Sequence, residues 1–139
     1  MENINKLGKT SQIIGKGMFY LIMILLTIAG IVMSLTKLED KPGTINVIAV
    51  LVGTIIAISL FYLLLRVLFR PIYNLNKNIQ LKIDNQITQN EFKIKWIKSL
   101  ICSLLFGLLF IFGTFGLSLL MMIPHYLLLS KSRSLWLKY

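Results

Sequence analysis

Hydrophobic and polar positions alternate along this chain in long blocks. Gly17–Leu35 is nineteen residues without a charge, and a membrane crossing needs about 17–25 mostly apolar residues. The start, MENINKLGKTSQIIGK, is polar and basic. The run after it is long for a signal core and exits through SLTKLED, a poor cleavage site, so it is expected to stay as a first transmembrane helix. TKLEDKPGT follows, with Pro42 and Gly43 as helix breakers. A second apolar run starts at Ile45 and is taken to residue 67, with Arg66 snorkelling to the headgroups.

After Arg66 the pattern changes. Leu68, Ile72, Leu75, Ile79 and Ile83 recur at steps of four, three, four and four, one face of a helix. Pro71 is read as a break in its first turn. The expectation is a short amphipathic helix over 71–84, lying in the membrane interface with its apolar face down.

Ser99–Ser130 is thirty-two residues without a charge. As one helix it is ~48 Å long at 1.5 Å per residue, against a hydrocarbon core of ~30 Å. Either it is one tilted helix kinked at Pro124, or it doubles back at Gly113–Thr114, its midpoint. Charge favours the second. Lys and Arg of short loops stay on the cytoplasmic side, and a hairpin puts thirteen of the fifteen bases there, with only Lys37 and Lys41 outside. The expected fold is therefore an all-α integral membrane protein. It forms a small polytopic bundle of four spans (17–35, 45–67, 93–112 and 115–133), the alternative being three with the last long and kinked. The whole chain, 1–139, reads as a single membrane domain of the cell (inner or plasma) membrane, multi-pass, with both termini cytoplasmic.

Composition narrows the classes of function. Hydrophobic residues make up 56% of the chain and charged residues 14%, well under the quarter usual for soluble domains. The net charge of +10 would point to nucleic acid in a soluble protein. Here Arg66, Arg70, Lys77, Lys82, Lys93, Lys95 and Lys98 flank apolar runs, where bases set topology and meet anionic headgroups or a protein partner. No nucleic-acid partner is expected. The richness in Ile, Lys and Asn fits an AT-rich bacterial genome.

Reactive chemistry is thin. Glu2, Glu39, Asp40, Asp84 and Glu91 all lie outside the expected spans, whereas proton-coupled transport uses an intramembrane acid. Cys102 is a single cysteine without a partner. His125 is the one possible polar site, and a lone imidazole without an acid argues weakly for catalysis. No cofactor, metal site or enzymatic activity is expected. Small residues recur every fourth position at Gly30/Ser34, Ala49/Gly53/Ala57 and Ser99/Ser103/Gly107, a spacing that lets helix backbones approach in lipid. These form the expected packing seam. The reading is a small non-enzymatic accessory, regulatory or immunity-type subunit that binds a larger membrane partner. The alternative is a homo-oligomeric transporter or pore-forming protein.

Overall fold

A computed structural model describes residues 2–40, 43–110 and 117–137. The described residues are helical, with no strand: α1 (Glu2–Asp40), α2 (Thr44–Ile83), α3 (Gln89–Phe110), α4 (Leu117–Met121), α5 (Ile123–Ser132) and α6 (Ser134–Leu137). Contacts divide the chain into two units, one of Met1–Gly17 with Val67–Tyr139, the other of Met18–Arg66.

The Met18–Arg66 unit is the hairpin of the first two apolar runs. Both helices are long and apolar enough to cross a membrane, with mean hydropathy of 2.5 in α1 and 2.7 in α2 over their most apolar stretches. Ile24, Leu25, Ile28, Ile55, Ile56 and Leu60 are all more than half exposed.

In the other unit the stripe of the second half of α2 turns inward. Leu68, Ile72, Leu75 and Ile79 are 8, 1, 0 and 0% exposed. Leu75 and Ile79 join Phe92, Trp96, Leu128 and Leu129 in one core, with Ile4, Leu7 and Ile83 packed against it. The separate interfacial helix expected over 71–84 is thus corrected: the segment continues α2, and protein covers its apolar face. Pro71 lies inside the helix instead of breaking it. An interior proline costs ~3 kcal/mol. Burying each large side chain gains ~1.5–3 kcal/mol, and Phe69 and Ile72 beside the proline are both buried, so packing outweighs the lost bond.

The end of α2 and the start of α3 are both capped. Asn85 takes a left-handed φ of 55°, with Gln86 N–H donating to Leu81 O at 2.8 Å and Asn85 N–H to Lys82 O at 3.1 Å. That is the Schellman closure of a helix C-terminus. Thr88 and Glu91 then form a reciprocal capping box: Thr88 N–H donates to Glu91 Oε2 at 3.0 Å, and Glu91 N–H to Thr88 Oγ1 at 3.3 Å. These bonds from Thr88 hold the Glu91 carboxyl below its ordinary range.

The polar start of the chain is the first four turns of α1. Its inward positions are small: Gly8, Ser11 and Gly15 are buried. A Cβ on Gly8 would run into the Asn76 side chain, and one on Gly15 would stand 3.3 Å from Tyr73 Cβ. The helices meet at a distance that larger residues would prevent.

Pairs between α3 and the last helices fix their direction. Trp96 meets Ser132, Ser99 meets His125, and Gly107 meets Leu119. As one number rises the other falls, so α3 and α4–α5 are antiparallel. Pro124 occupies the first turn of α5, where its missing N–H is tolerated. Gly113 and Thr114 lie outside the described residues.

Candidate functional site

The most concentrated polar cluster of the described residues is Ser11, Ser99 and His125, contributed by α1, α3 and α5. Each is placed by a helical stripe. Ser11 follows Ile4 and Leu7. Ser99 shares the inward face of α3 with Phe92, Trp96, Ser103 and Phe106, all buried. His125 sits one turn before the buried Leu128 and Leu129. The three polar residues are 2, 0 and 2% exposed. Ser11 Oγ lies 3.0 Å from His125 Nδ1, and Ser99 Oγ lies 3.2 Å from Nε2. A neutral imidazole satisfies both, one nitrogen donating and the other accepting.

Two further polar rungs join the same helices. Trp96 Nε1–H donates to Leu129 O at 3.1 Å and to Ser132 Oγ at 3.0 Å. Tyr126 O–H donates to Ser103 O at 3.0 Å. The arrangement closes on itself. Both ring nitrogens of His125 are occupied by buried hydroxyls, and no group of three or more His, Cys, Asp or Glu is gathered among the described residues. What it does chemically is hold three helices in register.

The small-residue positions separate into two kinds. Ser99, Ser103 and Gly107 pack in the α3–α5 seam, and a Cβ on Gly107 would stand 3.1 Å from Leu119 Cδ2. In the Met18–Arg66 unit, Gly30 touches Ile58, while the Ser34 and Thr54 hydroxyls meet across the two helices. Ala49, Gly53 and Ala57 instead face open space. Together with Gly30 and Ser34 they line a groove of about 650 Å³ along α1 and α2. A Cβ on Gly53 would touch nothing within 4 Å.

The basic residues do not converge on one point. Arg66 is exposed in the Met18–Arg66 unit. In the other unit Arg70, Lys77, Lys93 and Lys98 are exposed, whereas Lys82 and Lys95 are half-buried. The far side of α3 from its buried face carries Ile94, Ile97, Ile101, Leu104, Leu105 and Leu108, all exposed.

Sequence reasoning missed Ser11, Trp96 with Ser132, Tyr126 and the Thr88/Glu91 box as structural residues. The box was legible, since Thr-Gln-Asn-Glu before an apolar run is a capping signature. Gly8, Ser11 and Gly15 also recur at helical spacing, but polar and small residues carry no hydrophobic signal. No protein-family model, curated relative or solved structure matches the chain.

Proposed function

We propose that this protein is a small non-enzymatic integral membrane protein that acts by binding a larger membrane partner, as an accessory, regulatory or immunity-type subunit. One observation carries the reading: a set of small polar side chains and the one histidine is buried between helices while long aliphatic faces of the same helices are exposed. Ser11, Ser99, Ser103, His125 and Ser132 are buried and hydrogen-bonded, while the outer face of α3 and both helices of Met18–Arg66 expose Ile, Leu and Val. That distribution suits hydrocarbon as the solvent, where polar side chains face the bundle interior. It also supports four spans, with α3 and α4–α5 as the second hairpin and both termini on the cytoplasmic side.

The histidine supports the non-enzymatic part. A catalytic imidazole or serine must come within reach of a substrate, and here His125 and both serines bonded to it are at most 2% exposed. The partner-binding part is supported by what α2 presents outward. With Ile72, Leu75 and Ile79 spent on the core, residues 71–83 offer exposed Lys77 and half-buried Lys82 among polar amides, a positive charge suited to an acidic cytoplasmic face.

Affinity purification of the tagged full chain from native membranes in mild detergent, followed by mass spectrometry, tests this. A single membrane protein should be recovered in near-equal amount, and Lys77→Gln with Lys82→Gln should reduce its recovery. Recovery of the chain alone as a symmetric oligomer that passes solute in liposomes would overturn it.

A further inference from the structure

We propose that the groove of the Met18–Arg66 unit is a binding site for one phospholipid, with an acyl chain lying in the groove and the lipid phosphate on Lys37. The proposal rests on the reading of these two helices as membrane-spanning. The groove occupies about 650 Å³ and runs on α1 from Met23 to Lys37 and on α2 from Ala49 to Phe61. Its walls are apolar apart from Lys37 at one end and the Ser34–Thr54 pair, whose hydroxyls are already engaged with each other and with Gly30 O and Val50 O.

Length distinguishes the occupants. The fourteen helical steps from Met23 to Lys37 rise ~21 Å, whereas the whole hydrocarbon core is ~30 Å thick and one leaflet about half of that. The groove therefore follows one leaflet and reaches its headgroup layer. A partner's transmembrane helix would need a track along the full thickness. This one stops: beyond Met23 and Phe61, the rings of Phe19 and Tyr62 meet across the hairpin with centroids 6.0 Å apart. A trough one leaflet long, closed towards the bilayer centre and open at a lysine, has the dimensions and charge of a single lipid.

The lysine supplies the headgroup chemistry. Lys37 lines the end of the groove near the α1–α2 turn, is exposed and makes no ion pair among the described residues. Glu39 and Asp40 follow it on α1 without lining the groove, so the cationic centre at its mouth is Lys37. Gly53 is what keeps the trough open, since any side chain there projects into unfilled space.

The test is native mass spectrometry of the detergent-purified full chain, offered phosphatidylglycerol and a diacylglycerol with the same chains. The wild type should retain one phosphatidylglycerol, about fivefold better than diacylglycerol, as expected for one base near an anionic headgroup. Lys37→Gln should bring the two lipids to parity. Gly53→Leu should retain neither, while Val52→Leu, a change outside the groove, should behave as wild type. Equal retention of the two lipids by the wild type, or undiminished retention by Gly53→Leu, would overturn the proposal. So would a disulfide-linked dimer of Gly53→Cys in a Cys102→Ser background, because a second copy would then fill the groove. Alkaline carbonate extraction of native membranes separates the two readings. Release of the chain would refute the membrane assignment itself, and a chain that stays but holds no lipid refutes the groove alone.

Discussion

Replacing Ser11 by Ala removes one atom from the surface of α1 and strands another in the core. His125 is 2% exposed, and its Nδ1 has Ser11 Oγ at 3.0 Å as its partner. A buried polar group left without a partner costs ~1–3 kcal/mol, so Ser11→Ala should destabilise the chain by about that amount. The same change in a His125→Leu background strands nothing. The Ser11 hydroxyl there has only the carbonyl one turn back to bond, and its loss should fall within the ~0.5 kcal/mol typical of neutral substitutions. The two sites should therefore couple by ~1–2 kcal/mol. The measurement is reversible unfolding of the solubilised full chain by a denaturing detergent, followed by tryptophan fluorescence, for the wild type, both single variants and the double. Energies that add to within ~0.3–0.5 kcal/mol, the tolerance for independent sites, would refute the Ser11–His125 contact and with it the docking of the polar start of α1 on the α3–α5 pair.

Three further outcomes follow from the geometry. Gly107→Val should cost ~1–3 kcal/mol, the usual range for overpacking, because Leu119 Cδ2 and Tyr126 Oη stand 3.1 and 3.3 Å from where its Cβ would be; Gly53→Val should be near neutral, and equal losses in the same unfolding assay would contradict this packing. Thr88→Ala should lower stability by about 1 kcal/mol, as for other lost N-caps. The Glu91 carboxyl is held below its ordinary range by its bonds with Thr88, so its contribution is complete above the ordinary glutamate range and is lost as the pH falls through its lower folded-state value; an ordinary Glu91 titration by NMR would refute the box. Reporter fusions at residue 1 and residue 139 should both read as cytoplasmic, and opposite sides would remove the four-span topology.

Much of the helical architecture was legible because its signals are local. An uncharged run such as Gly17–Leu35 announces a helix, and the Trp96–Ser132 and Ser99–His125 pairs set α3 antiparallel to α5. The site was less legible. His125 was noticed as the one histidine, but its partners stand 114 and 26 residues away. Ser11 lay in a polar stretch that carries no hydrophobic signal. Gly53 was read as a closed seam from its spacing, though spacing alone does not say whether a facing helix is close enough to fill it.

What the sequence determined by itself was therefore the kind of element: helices, from runs and periods, two of them long and apolar enough to cross a membrane. Tertiary structure decided what covers each face. The stripe of Leu68, Ile72, Leu75 and Ile79 has the same period whether it rests on lipid or on protein. The choice was made by Gly8, Ser11 and Gly15, which are small enough for α1 to lie close against α2, and by Phe92, Trp96 and Leu128, which complete the core. Periodicity records that a face is apolar. Only the packing of distant segments, through the volumes of their side chains, determines what that face meets.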